Sequence, residues 1–330
     1  MSLPEPAADA ARLLGRRARI RPAEWLFWAL AFAALFLLPE RHLILNSIAV
    51  QALFALSYDL VLGFAGIVSL GHAAFFGVGA YAAGLMTKFV TGDPLLGLAA
   101  AGLAGGVVGF ASSFLLLRGS DLTRLMVSLG VALILAEIAN KAAWLTGGTD
   151  GFSGMAVGPV LGRYAFDIFG HVAFAYSLCV LFVLFVLARI VVHSPFGLSV
   201  TALHHNPLRA RAVGVPVNRR LVAMYTFAAI YAGIAGGLLA QTTQFVSLDV
   251  LDFNRSADVL LMLVIGGTGY LYGGMIGAAL FVLAQDQLAS LTPQYWHFWI
   301  GLALVVLTLV GRERFAKRLG AFARLLPGAR

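Results

Sequence analysis

Ionisable side chains are few within the long apolar stretches of this 330-residue chain, and they are the first candidates for chemistry. Glu137 and Lys141 are four residues apart, a spacing that places them on one helical face. They could form a structural ion pair, or Glu137 could line a polar path. Asp59 lies near the end of another apolar stretch and could sit at an interface. A charge at a bilayer centre costs about 2.5–3.5 kcal/mol, so such groups usually face protein or water.

His72 follows a Ser-Leu-Gly sequence inside an apolar run. It could relay protons, but without a nearby acid a hydrogen-bonded packing role is the favoured interpretation. The sequence has no metal-ligand spacing, no G-x-S-x-G nucleophile motif and no G-x4-GK[ST] phosphate loop. Cys179 is the sole cysteine and cannot form an internal disulfide. We therefore predict no catalytic residues, no metal and no cofactor, and any ATP hydrolysis must occur on another polypeptide.

Glycines form two segments with the same spacing, G-x2-G-x4-G. The first segment contains Gly63, Gly66 and Gly71, and the second contains Gly266, Gly269 and Gly274. Glycines at such spacing can simply allow close helix packing. Alternatively, interrupted helices in corresponding halves of a membrane protein can border a substrate path.

The elements that must position these residues are transmembrane helices. The chain is 60% hydrophobic and 12% charged, with a mean hydropathy of +0.90, whereas soluble domains carry about 25% charged residues. We predict an all-α polytopic membrane protein, with residues 1–330 forming a single domain of about eight full spans. A glycine-broken, re-entrant pair of half-helices is expected at 258–288. The predicted spans are 24–40, 43–62, 64–87, 94–117, 125–145, 171–192, 221–244 and 294–311.

Basic residues indicate the orientation. The formal net charge is +8, and most of the basic residues fall in three segments: an arm at 1–23, a loop at 193–220 and a tail at 312–330. The positive-inside rule places all three segments, and so both termini, in the cytoplasm. No aromatic residues interleave the terminal clusters as a nucleic-acid platform requires, so no nucleic-acid partner is expected.

The loop at 193–220 contains a predicted amphipathic helix over 203–213. Leu203, Leu208 and Ala212 form its apolar side, Pro207 lies in its first turn, and Gly214 ends it. Such a helix could transmit force from a soluble partner, or it could only anchor the loop to lipid. The spacing alone does not distinguish the two.

Several motifs, in order along the chain, resemble the LivM-type permease family of branched-chain (hydrophobic) amino acid ABC importers. The matching motifs are LVLGFAGIVSLGHAAFFGVGAYAAGL at 60–85, LTGGTDGFSG at 145–154, SPFGLSVTALHHNPLRARAVGV at 194–215, and SADVLLMLVIGGTGYLYGGMIGAAL at 256–280. One departure is His204-His205, where the family usually has Arg-Glu.

The resemblance implies a multi-subunit importer in a bacterial inner membrane. Its partners would be a second, LivH-like permease, two cytoplasmic ATPase subunits, a periplasmic binding protein and membrane lipid. The ATPase-coupling residues would be Leu203, His204, His205, Asn206, Pro207, Arg209, Arg211 and Gly214. The substrate path would involve Gly63, Gly66, Ser69, Gly71, His72, Glu137, Gly266, Gly269 and Gly274. In this reading Glu137 would meet the ammonium group of an amino acid.

Three alternatives are open. Related importers of urea or short amides share these motifs. A stand-alone secondary carrier would require paired acids and bases within the membrane, for which Glu137 and Lys141 are the candidates. An integral-membrane enzyme would need a catalytic constellation, and none stands out.

Overall fold

The computed structural model describes residues 22–302 except 118, 168 and 297, together with residue 305. Nearly all of the predicted arm at 1–23, half of the span at 294–311 and the whole tail at 312–330 lie outside the described residues.

All the long secondary-structure elements of the described residues are helices. The helices are α1 (Pro22–Leu37), α2 (His42–Asp59), α3 (Ala73–Phe89), α4 (Pro94–Leu116), α5 (Asp121–Lys141), α6 (Ala143–Thr146), α7 (His171–His193), α8 (Pro195–His205), α9 (Pro207–Ala212), α10 (Val217–Thr243), α11 (Phe253–Gly266) and α12 (Leu271–Leu291). A π-helical turn, Leu60–Phe64, extends α2. Within the described part, six helices are long and apolar enough to cross a membrane: α2 with its flanking turns, α4, α5, α7, α10 and α12.

Glycine and alanine allow the central helices to approach closely. At Gly79, Gly105 and Gly233, where α3, α4 and α10 meet, an added Cβ would overlap the backbone of a neighbouring helix. Such small-residue contacts are characteristic of helix packing in lipid, where burial of apolar surface alone does not drive association. Helix α5 buries only Ser128, Ala132 and Ala139 and turns its large apolar side chains outward.

The two ends of the bundle differ. We call the end that carries residues 193–220 the loop end and the opposite one the far end. At the far end, Phe152 and Val246 form an isolated antiparallel bridge, and the amide of Gly158 donates to the carbonyl of Gly92 at 2.8 Å. The predicted T-G-G turn lies here, with Gly147 at φ +77°.

The predicted span at 64–87 is wrong in its first third. Residues 65–72 are not helical, and α3 begins only at Ala73. The π-helical turn that extends α2 ends at Phe64 because Gly66 adopts φ +69°, a left-handed conformation that glycine tolerates without a steric penalty.

The predicted helix over 203–213 is also wrong, because two helices meet at Asn206. Asn206 is extended at φ −157°, as expected for a residue before proline, and its side chain caps α9 by accepting the amide of Arg209 at 3.0 Å. The expected apolar side differs as well. Leu203 and Ala210 are buried, whereas Leu208 and Ala212 are exposed.

The glycine-broken segment at 258–288 is an antiparallel pair of unequal helices. α11 has 14 residues and α12 has 21, so the second limb is a full-length helix rather than a half-helix. The turn between them, 267–270, contains two left-handed glycines, Gly267 at φ +100° and Gly269 at φ +76°.

Candidate functional site

The first glycine break is a non-helical segment, 65–72, whose backbone is satisfied by side chains from other helices. The Tyr58 hydroxyl donates to the carbonyl of Ser69 at 2.7 Å. Ser128 of α5 accepts the amide of Leu70 at 3.0 Å, and Ser256 of α11 accepts the amide of Ala73 at 2.9 Å. Non-helical backbone within a membrane persists only when protein or water meets its polar groups. These three side chains therefore hold the break in place.

His72 is fully buried beside this break and packs against the rings of Phe54, Tyr58 and Phe75. Its Nε2 lies 2.9 Å from the hydroxyl oxygen of Ser57, which itself donates to the carbonyl of Phe54 at 2.6 Å. Since the serine proton is directed to that carbonyl, Nε2 of His72 must be the donor to Ser57. His72 is hydrogen-bonded and packed, in agreement with the favoured interpretation.

The glycines at both breaks stand where backbones approach most closely. An added Cβ on Gly71 would overlap the carbonyl of Ser128, and one on Gly266 would overlap the carbonyl of Gly273. A Cβ on Gly274 would lie 3.1 Å from the carbonyl of Ala55. Close packing therefore accounts for these glycines, and it holds α11 and α12 against each other and against α2.

The two glycine breaks contact each other. The Oδ1 atom of Asp59, the last residue of α2, accepts the backbone amide of Gly269 at 2.7 Å, and Asp59 is fully buried. Gly63 packs directly on Gly269, where a side chain on Gly63 would overlap both the Gly269 backbone and the Asp59 carboxylate. The matching glycine segments thus form one continuous backbone contact at the loop end.

The loop helices reach this contact through His204. Its Nδ1 lies 3.1 Å from the carbonyl oxygen of Gly63, and because a carbonyl only accepts, Nδ1 is the donor. An added Cβ on Gly66 would lie 2.6 Å from the His204 ring. His205 stacks on His204, with ring centroids 5.7 Å apart and an interplanar angle of 10°. The end of α8 is therefore attached to the first break, which is attached to the second.

The outer surface of α9 is both apolar and basic. Leu208 is 75% exposed and Val213 is 83% exposed, and Arg209 and Arg211 are exposed beside them. Gly214 ends the segment at φ +86°, as the spacing predicts. Two large apolar and two basic side chains are therefore exposed together on this segment.

A charged cluster that the sequence analysis did not single out lies next to the second break. Glu24 of α1 forms an ion pair with Arg189 of α7 and accepts the hydroxyl of Tyr272 of α12 at 3.1 Å. Together with His193 and Gly269 these residues line a cavity of about 470 Å³. Glu24 lies at the start of one apolar helix and Arg189 near the end of another, and their charges are opposite. These two facts were the only sign in the sequence that the residues could pair. Their separation by 165 positions hid the pairing.

Glu137 lies apart from the breaks. It forms an ion pair with Lys141 at 3.4 Å on the outward face of α5, with side chains 57% and 78% exposed. The expected helical pair is therefore present. The remaining predicted path residues, Gly63, Gly66, Ser69, Gly71, His72, Gly266, Gly269 and Gly274, lie at or beside the two breaks.

The described contacts join the loop helices to both helix breaks. Across the described residues, no three His, Cys, Asp or Glu side chains are grouped to hold a metal ion. A loop with an exposed apolar surface is instead joined, through one histidine, to two helix breaks that pack backbone against backbone.

Comparison with known proteins identifies related membrane transport proteins. The family described as "Branched-chain amino acid transport system / permease component" matches residues 42–309. The high-affinity branched-chain amino acid permease protein LivM of Escherichia coli is 29% identical over 292 residues, which cover 80% of this chain and 67% of LivM.

Two other relatives extend the comparison. The L-arabinose permease protein AraH of Azospirillum brasilense is 29% identical, over 81% of this chain and 76% of AraH. The probable branched-chain amino acid permease protein LivH of Methanocaldococcus jannaschii is 22% identical, over 71% of this chain and 75% of LivH. No solved structure matches significantly. The chain is a multi-pass membrane protein and belongs to the family of branched-chain amino acid transport system permease components.

Proposed function

We propose that this chain is one permease subunit of an ATP-driven importer of branched-chain or other hydrophobic amino acids in a bacterial inner membrane. Its partners would be a second, LivH-like permease, two cytoplasmic ATPase subunits and a periplasmic substrate-binding protein. Family membership and the similarity to LivM and LivH support this proposal. The absence of a phosphate-binding loop in the sequence assigns ATP hydrolysis to the partners.

The observation that carries the proposal is the contact of His204 with Gly63 and Gly66. We assign ATPase coupling to the segment that carries this contact, with Leu203, His204, His205, Asn206, Pro207, Arg209, Arg211 and Gly214 as its residues. An ATPase that moved α8 and α9 would move the first break directly and the second through Asp59 and Gly269. This is the mechanical requirement of alternating access, in which helices around a central path rock between two arrangements.

The orientation in this proposal follows from charge. The loop end, both termini and the ATPases are assigned to the cytoplasm, because no acidic residue occurs between positions 193 and 220 while four arginines do. The far end, with its T-G-G turn, would face the binding protein. The path would be lined by small residues at the breaks, which bind substrate weakly, so that the binding protein supplies the affinity.

The test is reconstitution of the chain in liposomes with the second permease, the ATPase subunits and the binding protein. We expect ATP-dependent uptake of radiolabelled leucine, isoleucine or valine that stops when the binding protein is omitted. Cysteine labelling of an Arg211→Cys variant in intact spheroplasts checks the orientation, and the introduced cysteine should be protected from impermeant reagents. Solute accumulation by the chain alone, or labelling of that cysteine from outside, would contradict the proposal.

A sugar importer is the second candidate, because AraH is as similar in identity to this chain as LivM is. The same liposomes distinguish it when L-arabinose is the labelled solute. Urea, the substrate of the third possible importer class, completes the comparison. Whichever solute stimulates ATP hydrolysis together with the matching binding protein identifies the substrate.

A further inference from the structure

Two adjoining cavities open at the loop end of α10, and neither is lined by residues of the glycine breaks. One has a volume of about 440 Å³ and is lined by Arg211, Asn218 and Arg219, with Pro216 and Val217. The other is a groove of about 720 Å³ between α4 and α10. Asn218 and Arg219 line both. A polar chamber therefore continues into an apolar groove, and each volume is within the range of about 300–1,000 Å³ typical of small-molecule sites.

The packing of α4 against α10 explains the groove. Near the bundle centre the two helices touch at small residues, and an added Cβ on Gly109 would overlap the side chain of Ala229. Towards the loop end, Phe110 and Phe114 replace these small residues on α4. They pack edge to face with centroids 4.9 Å apart and remain about half exposed. The larger rings line the groove, which is almost entirely apolar.

The charge of the polar chamber is strongly one-sided. No aspartate or glutamate occurs in the sequence between Asp167 and Asp249. Within the part of the chain that the structure describes, neither Arg211 nor Arg219 forms an ion pair. Asp121, the first acid after α4, is bound to Arg124 at 2.9 Å. The chamber presents two exposed guanidinium groups that have no counter-charge among the described residues.

The groove and the chamber set different requirements for an occupant. A purely apolar occupant, such as a leucine-rich helix of a partner subunit, would leave both arginines without partners. A small anion alone would leave the apolar groove uncovered. An amphiphile with an anionic head and an acyl chain would meet both requirements.

We propose that these cavities bind one anionic phospholipid, with its phosphate at Arg211 and Arg219 and an acyl chain in the groove between Phe114 and Thr226. The assignment to the cytoplasmic leaflet rests on the proposed function, which places the loop end in the cytoplasm. Guanidinium groups bind phosphate through paired hydrogen bonds, and basic pockets between transmembrane helices on the cytoplasmic side are suited to anionic headgroups. Since Arg211 belongs to α9 and Arg219 to α10, the lipid would connect the coupling segment to the transmembrane bundle.

The test uses the full-length chain, purified in detergent with its second permease, and native mass spectrometry after addition of phosphatidylglycerol or phosphatidylcholine. We expect retention of one phosphatidylglycerol per chain and none of phosphatidylcholine. Combined Arg211→Gln and Arg219→Gln substitution should weaken phosphatidylglycerol retention about tenfold or more. Combined Arg209→Gln and Arg220→Gln substitution is the matched control: it removes one charge from each of the same two helices outside the cavity lining, and retention should be unchanged.

A second variant tests the apolar half of the site. Ala223→Trp fills the groove without removing either arginine, and it should also abolish retention while the two permeases stay associated. Equal retention of both lipids, unchanged retention in the double arginine variant, or dissociation of the second permease by Ala223→Trp would each overturn the proposal. Because retention is measured without transport, failure of this site and failure of the proposed import function give different results.

Discussion

Asp59 and Gly269 are 210 positions apart, yet the carboxylate Oδ1 of Asp59 accepts the backbone amide of Gly269 at 2.7 Å. This hydrogen bond joins the fully buried Asp59 at the end of α2 to the partly buried Gly269 in the turn between α11 and α12. In the proposed mechanism, it is the point at which a displacement of the first glycine break becomes a displacement of the second.

Replacing Asp59 tests this bond. Asp59→Ala leaves the Gly269 amide buried without its acceptor, and we expect a loss of about 1–3 kcal/mol in unfolding free energy. Asp59→Asn is the matched variant, since its side-chain oxygen can still accept the amide, and it should stay closer to the parent protein. Thermal unfolding in detergent, followed by circular dichroism, measures the difference. Equal stability of the alanine and asparagine variants would show that the bond is unimportant.

Replacing His204 tests the connection between loop and breaks. His204→Ala removes the donor to the Gly63 carbonyl, and we expect the ratio of solute imported to ATP hydrolysed to fall about fivefold, the equivalent of roughly 1 kcal/mol for one hydrogen bond. Ser199→Ala serves as control because it also removes one hydrogen bond from α8, but that bond runs to the carbonyl of Phe196 within the same helix. The ratio is measured in liposomes with the partner subunits. Identical ratios in the two variants would separate the loop from the breaks.

One glycine in a close helix contact and one in open space test whether close packing accounts for the glycines at the breaks. Gly266→Ala places a methyl group on the carbonyl of Gly273, and we expect a loss of about 1–3 kcal/mol or failure to accumulate in the membrane. Gly130 of α5 has no atom within 4 Å of an added Cβ. Gly130→Ala should therefore be neutral or stabilising by up to about 1 kcal/mol, as alanine favours a helix. Thermal unfolding and membrane yield of both variants provide the comparison, and a Gly266→Ala protein as stable as the parent would contradict it.

Glu137 tests whether the path includes the outward face of α5. If Glu137 meets the ammonium group of an amino acid, Glu137→Gln should raise the KM for leucine uptake. Stability should change by less than about 0.5 kcal/mol, because the ion pair with Lys141 is exposed. Lys141→Gln breaks the same pair and should leave the KM unchanged. Unaltered uptake by Glu137→Gln at every leucine concentration would exclude this residue from the path.

The long helices could be predicted because apolar length is a strong signal. The predicted spans at 94–117 and 171–192 agree with α4 and α7 within one residue at each end. The positions at which proline and glycine interrupt a helix were harder to predict. Asn206 before Pro207 divided a helix that periodicity alone made continuous, since capping and the restriction before proline outweighed the apolar repeat.

The candidate site was predictable in its parts but not in its assembly. The repeated glycine spacing identified both breaks, and the basic loop was predicted to contain a helix that either transmits force from a partner or anchors the loop to lipid. The contacts that join them, Asp59 with Gly269 and His204 with Gly63, connect positions more than 140 apart. Spacing along a chain contains no information on such pairs, because they depend on how whole helices dock.

The exposed Leu208 and Val213 have a consequence for the cell that makes this protein. On an unaccompanied copy these side chains would be in water, where they would favour adhesion to any apolar surface. If the proposed ATPase subunits cover this surface, synthesis of the chain in excess of them would yield subunits prone to aggregation and to proteolysis. In that case, the exposed apolar residues of a six-residue helix and of the turn that follows it would require the cell to produce all the subunits in matching amounts.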